Sequence, residues 1–160
     1  DEQAVSPVIA VILMVAITVV LAAVLYVWAS SFLGGTTKNA PTGSMIASED
    51  GSGVWTVQIV KINPQVSVNS VHWYLLDVQG NTKTDGLVSD VYGYYSGQGK
   101  AVVFIDNDFN GKLSPGDKFE VHPGEAGSDL ESVNDVSDFS FRMKFEPTGD
   151  VIGYDIGLQS

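Results

Sequence analysis

The sequence predicts an α+β protein in which a long N-terminal apolar α-helix precedes an all-β antiparallel sandwich, immunoglobulin-like in one variant. Three observations predict it. No charged residue stands between Glu2 and Lys38. Beyond Ser44 helical periodicity disappears, and short runs alternate apolar with polar side chains at period two, the mark of half-buried strands. Finally, the chain carries 19 acidic and 8 basic residues, a net charge of -11, yet its mean hydropathy is slightly positive. Setting Asp1 and Glu2 aside, the remaining 17 acids and all 8 bases fall after residue 37. The average therefore covers two parts built for different surroundings.

At 160 residues with 44% hydrophobic side chains, the chain can bury one core and is too short for a large multidomain enzyme. A net charge of -11 with Arg142 as the one arginine opposes binding to a phosphate backbone, so nucleic acid is not an expected partner. With no cysteine, disulfides, cysteine-ligated zinc and thiol nucleophiles are excluded together.

The helix is justified first. From Val8 to Val27 the chain reads VIAVILMVAITVVLAAVLYV, with Thr18 as its polar side chain. Twenty helical residues span about 30 Å, the thickness of a bilayer's hydrocarbon core. Ser6 and Pro7 supply a start signal, a capping oxygen followed by a residue with no N–H to leave unpaired, and Gly34-Gly35 supply a stop. Tyr26, Trp28 and Phe32 gather at one end, where aromatic rings favour the headgroup region. Counted from Pro7 to Gly34 the helix has about 28 residues and a length of about 42 Å, more than a bilayer needs. Ala16, Ala23 and Ser30 recur every seven positions with Ala22 and Ala29 beside them, a stripe that lets helices approach closely. The acidic start Asp1-Glu2 lacks the basic flank that normally orients a membrane helix. A short basic leader removed after insertion is the expectation that follows, with a cloning boundary as the plain alternative.

Residues 3–18, Gln3-Ala4-Val5-Ser6-Pro7-Val8-Ile9-Ala10-Val11-Ile12-Leu13-Met14-Val15-Ala16-Ile17-Thr18, closely resemble the N-terminal segment of archaeal type IV pilins, whose mature chains begin near a Q-x-x-S-P-V-I motif. The resemblance covers roughly the first 30 residues. Val5 stands where bacterial type IV pilins carry glutamate, as in the archaeal branch, and archaellins match less well because their starts usually lack the S-P-V-I run. The resemblance implies a precursor cut by a membrane-embedded prepilin peptidase and handled by the pilus assembly machinery. It implies a helical homopolymer whose partner is the chain itself, with N-terminal helices bundled as a core and C-terminal domains facing solvent. It places the chain in the cell membrane before assembly and in an extracellular pilus on the cell surface afterwards.

Residues 1–35 are thus expected to form the helix, 36–44 (TTKNAPTGS) a linker, and 45–160 a β-rich extracellular domain. Strand-like runs occupy Val54–Ile62, Val71–Val78, Lys100–Ile105, Lys118–His122, Asp138–Glu146 and Val151–Leu158. Phe139, Phe141, Met143 and Phe145 alternate with polar neighbours, as do Ile152, Tyr154, Ile156 and Leu158. Pro147-Thr148-Gly149-Asp150 reads as the hairpin turn between those two runs. Six or more short strands in that length suggest a sandwich.

The strongest chemical motif is Asp106-Asn107-Asp108-Phe109-Asn110-Gly111-Lys112-Leu113-Ser114-Pro115-Gly116-Asp117. It follows the EF-hand-type calcium template: Asp106, Asp108 and Asn110 at positions 1, 3 and 5, glycine at 6, the Lys112 carbonyl at 7, Ser114 at 9 and Asp117 at 12. Oxygen donors crowded on a short loop suit Ca²⁺, which would act as a structural staple in a domain without disulfides. Against this stand the shorter Asp117 in place of glutamate and flanks, AVVFI and KFEV, that read as strands rather than helices. The alternative is an Asx-rich turn without metal.

Weaker features follow. Tyr92, Tyr94 and Tyr95 in a Gly-rich stretch read as an exposed contact loop or a simple connection. Glu125, Asp129, Glu131, Asp135 and Asp138 read as a solvated acidic loop. His72 and His122 are too far apart and too poorly accompanied to suggest catalysis, so no enzymatic activity is expected. The expected function is a structural pilin used for adhesion to an unidentified target. The competing expectation is a monomeric, membrane-anchored module that binds calcium or a ligand outside the cell.

Overall fold

The computed structural model describes residues 2–33, 39–95 and 97–159. They fall into two compact units, Asp1–Lys38 and Asn39–Ser160.

The first unit is helix α1, Glu2–Leu33. Its 32 residues extend about 48 Å. It begins earlier than the Ser6-Pro7 signal suggests, and Pro7 lies inside it. Pro7 forgoes the bond its own N–H would make to the residue 3 carbonyl and crowds that carbonyl with its ring, yet Glu2, Gln3 and Ala4 are good helix formers and the helix runs on upstream through them. The Gly34-Gly35 stop and the part of the linker from 36 to 38 lie outside the described residues, as does the side chain of Phe32. From Val5 to Ser30 the helix is long and apolar enough to cross a membrane. The hydroxyl of Thr18 donates to the Met14 carbonyl at 2.7 Å, so the polar side chain in the middle of the span is satisfied within the helix.

The second unit is built from antiparallel strands. They are β1 (Thr42–Glu49), β2 (Trp55–Asn63), β3 (Val66–Ser67), β4 (Val71–Leu76), β5 (Thr82–Leu87) and β6 (Val102–Ile105). After them come β7 (Lys112–Leu113), β8 (Lys118–Val121), β9 (Ser140–Phe145), β10 (Asp150–Val151) and β11 (Ile156–Gly157). One sheet has the order β1-β2-β8-β6, and the other β10-β9-β4-β5 with β11 also paired to β9. A short ladder, β3 with β7, stands apart.

Burial explains why these runs are strands. In β9 the buried Phe141, Met143 and Phe145 alternate with half-buried polar residues, and in β2 the buried Trp55, Val57 and Ile59 alternate with half-buried Thr56 and exposed Gln58. The two inner faces meet in a common core, where the ring of Phe119 on β8 packs at 4.7 Å from Phe141 on β9 and at 4.9 Å from Phe104 on β6. Phe145↔Asp150 pairing closes a hairpin over Pro147-Thr148-Gly149, with the Gly149 N–H donating to the Phe145 carbonyl at 2.8 Å.

Two boundaries differ from the sequence expectation. Strand β1 starts at Thr42, inside the stretch read as linker. Its register against β2, Thr42↔Asn63 through Glu49↔Trp55, supplies the bonds that its small polar residues do not advertise. The final run is not one strand. Ile152 and Leu158 are fully buried and Ile156 is half-buried, but Tyr154 is 89% exposed, because the chain breaks at Gly153 between β10 and β11.

Gly153 has φ +68°, and a Cβ there would run into the Gly43 carbonyl of β1. We therefore expect Gly153→Ala to destabilise the domain by about 2–3 kcal/mol, the sum of left-handed strain and overlap, measured as a lower Tm of the full chain. Gly80→Ala is the control: φ there is +84° but nothing lies within 4 Å. It should cost only the strain, about 1 kcal/mol.

Candidate functional site

Strands β6 and β8 are register-paired, Val102↔Val121 through Ile105↔Lys118. The twelve residues between them form the Asx-rich loop. Because Ile105 faces Lys118, the next residues outward are Asp106 and Asp117, so the sheet register brings loop positions 1 and 12 opposite each other. Gly111 at position 6 has φ +70°, the conformation that lets the loop reverse without a Cβ penalty, and Phe109 at position 4 has φ 56°.

Asp106, Asp108 and Asp117 each bring a carboxylate oxygen within 4.8 Å of the others. Asp117 is fully buried: its Oδ1 accepts from the Asn107 N–H at 2.8 Å and its Oδ2 from the Ser114 N–H at 2.9 Å. The Ser114 hydroxyl lies 2.9 Å from Asp117 Oδ2 and 3.0 Å from Asp108 Oδ2, and its single proton can serve one of them. Asn110 donates its amide to Asp108 Oδ2 at 2.9 Å and accepts from the Lys112 N–H at 2.8 Å. Asp106 is also buried, and its Oδ2 accepts from the Gly111 N–H at 2.8 Å and from the Tyr92 hydroxyl at 3.0 Å. All six residues named from the sequence thus lie in one loop, and four of them share hydrogen bonds around the acids. Lys112 contributes backbone only, as part of β7.

Burial pushes the Asp117 carboxyl above its ordinary pKa, against the hydrogen bonds it accepts. At Asp106 burial pushes the same way, but its close neighbour Asp108 and the hydrogen bonds it accepts from the Gly111 N–H and the Tyr92 hydroxyl outweigh it and hold the group below the usual carboxylate range. Tyr92 is raised, chiefly by its hydrogen bond to Asp106.

Tyr92 is a correction. Rather than lying in an exposed contact loop, it is half-buried, bridges to Phe104 and packs its ring 6.1 Å from that of Phe104. Nothing in the sequence pairs it with Asp106, since a tyrosine fourteen residues away carries no local signal. Tyr95 is 64% exposed, and Tyr94 is 39% exposed with the Lys100 ammonium 4.9 Å from its ring centroid. Ser96 lies outside the described residues.

The acidic loop is more structural than a solvated face. Glu125 accepts from the Gly99 N–H, Asp129 from the Thr84 hydroxyl, Glu131 from the Gly127 N–H and Asp135 from the Ser137 N–H. His72 is held between Asp85 at 2.6 Å and Glu146 at 3.1 Å, while His122 is buried beside Glu120 at 3.3 Å. The two histidines keep separate company, each facing its own carboxylates.

Residues 3–44 match the family model for the N-terminal region of archaeal type IV pilins, in agreement with the resemblance carried by residues 3–18. The matched stretch takes in α1 and the start of β1. No curated protein and no solved structure matches the chain.

Proposed function

We propose, from the archaeal type IV pilin segment at residues 3–44, that this chain is the structural subunit of an adhesion pilus. The observation that carries the reading is the span Val5–Ser30, long enough to cross a membrane and apolar on every side. Such a surface must be covered by lipid or by other apolar helices. Before assembly the bilayer serves; its hydrocarbon core takes about 20 helical residues. A filament core of packed copies also accepts the remaining apolar turns, because no part of it meets water. The small residues Ala16, Ala22, Ala23, Ala29 and Ser30 favour close approach between such helices. Prepilin peptidase and assembly machinery act on the precursor in this reading, and the β domain, with its excess of acids, faces outward on the cell surface. Like charge on neighbouring domains favours solubility and keeps filaments from coalescing. Adhesion rests on the family analogy and on the exposed Tyr94 and Tyr95.

The test is to shear cells that express the chain and to image and immunolabel the released material. Labelled filaments are the expected result. Recovery of the chain only in the detergent-extracted membrane fraction, with no filament containing it, would leave the monomeric anchored module as the correct description.

A further inference from the structure

We propose that the β6–β8 loop is a Ca²⁺ site in which Asp106, Asp108, Asn110 and Asp117 supply side-chain oxygens, Lys112 its backbone carbonyl, and Ser114 the ninth-position contact. This goes beyond the filament reading and does not depend on it, because a chain that never assembles would still bind the ion.

Two independent observations point to a cation. Three carboxylates converge within 4.8 Å, and among the described residues none of the ion pairs reaches them: Lys118 pairs with Glu120, and Arg142 with Asp155. Separately, Asp106 is 6% exposed and its Oδ1 is buried with no hydrogen-bond partner. A buried carboxylate oxygen without a donor is a costly arrangement, and it is relieved when that oxygen binds a positive charge. The Asp106 Oδ2, by contrast, is satisfied by Gly111 and Tyr92. One carboxylate thus has one oxygen held in place and the other left free.

The donor set selects the ion. It holds oxygen only, with neither histidine nor cysteine, which excludes a preference for zinc or copper. A twelve-residue loop with several carboxylate and amide oxygens fits the adaptable coordination of Ca²⁺, whereas Mg²⁺ demands a tight octahedron and keeps much of its water. The helices that flank an EF-hand loop are replaced here by β6 and β8, whose register brings the two ends of the loop together instead. Their frame is tied down further: Ile59 N–H donates to the Asp117 carbonyl at 2.8 Å, Gly116 N–H to the Ile59 carbonyl at 2.9 Å, and Val68 N–H to the Gly111 carbonyl at 3.2 Å. An ion in the loop would therefore brace β2, β6 and β8 together, and binding should appear as domain stability.

The experiment uses the detergent-solubilised full chain, with melting followed in excess EGTA, in CaCl₂ and in MgCl₂, and with calcium titrated calorimetrically. At free Ca²⁺ roughly a hundredfold above Kd, Tm should rise on the order of 10 °C over EGTA, with Mg²⁺ giving far less. Asp108 is exposed, so Asp108→Asn should fold and weaken binding by roughly tenfold or more, because affinity follows ligand charge. Asp106→Ala with Asp108→Ala should remove the Ca²⁺ shift entirely. Asp155→Asn, an acid outside the loop, should keep it. An unchanged Tm and no binding heat in the natural chain would overturn the proposal and leave an Asx-rich turn; so would an Asp108→Asn variant with undiminished affinity, or an equal response to Mg²⁺. Calcium binding without filaments sinks only the pilus reading, and filaments without calcium binding sink only this one.

Discussion

Replacing Ala16 and Ala23 together with phenylalanine is expected to abolish filaments while the chain stays in the membrane and its β domain melts at an unchanged temperature. The two positions are seven residues apart, so on a helix of 3.6 residues per turn they lie within about 20° of each other. Packed helix axes stand about 8–10 Å apart, the lower end being reached where small side chains meet. Two added phenyl rings on that face force neighbouring axes apart or twist them out of register. Insertion is a matter of apolar character, which phenylalanine preserves, and the β domain forms its own compact unit. Filament yield after shearing, chain in the membrane fraction and Tm are the three readouts. Leu21→Phe enlarges a side chain that is already large on the other side of the helix; it should reduce assembly much less. Normal filaments from the double variant would exclude this stripe as a contact between helices.

Phe119→Ala is expected to destabilise the β domain by about 3–5 kcal/mol, the usual cost of deleting a large core ring. The side chain is fully buried and joins the two sheets, touching Phe104 within its own sheet and Phe141 across the core. Few residues can relax into the space, because strands on both sides are held by their ladders. At a few degrees per kcal/mol, Tm should fall by roughly 10–20 °C. In cells the loss would appear as a lower abundance of the chain, since destabilised chains are removed by proteolysis. A change in Tm of a degree or two would mean that Phe119 is not the keystone between the sheets.

The helix was legible because its signal is one-dimensional. A run without charge from residue 3 to residue 37 needs no partner to be recognised. Its starting point was less so: the Ser6-Pro7 pair states a preference worth about a kcal/mol, and the good helix formers before it carry α1 back to Glu2. Strands β2, β4, β8 and β9 were legible for a related reason, since each has one buried face and therefore alternates. Strand β5, reading TKTDGL, has only Thr84 buried and exists because β4 pairs with it along His72↔Leu87 to Leu76↔Thr82. An edge strand of this kind takes its conformation from a neighbour's hydrogen bonds, and propensity hardly registers it.

The loop divides the same way. Its oxygen-bearing residues at positions 1, 3, 5, 9 and 12 and its glycine at 6 can be read from spacing, because the template they follow is local in sequence. Its flanks are strands where an EF-hand has helices, and the β6–β8 register makes them the frame that brings Asp106 to Asp117. Tyr92 and the unpartnered Asp106 Oδ1 belong to the tertiary structure alone. By itself the sequence determined the apolar helix, the β-rich domain behind it and the residues of the loop, since each depends on which side chains stand near one another along the chain. Only the tertiary structure decided the strand order, the edge strands, the break at Gly153 and the burial of Asp106. Each of these depends on what lies across a sheet or a core, where residues far apart in sequence exclude water from one another.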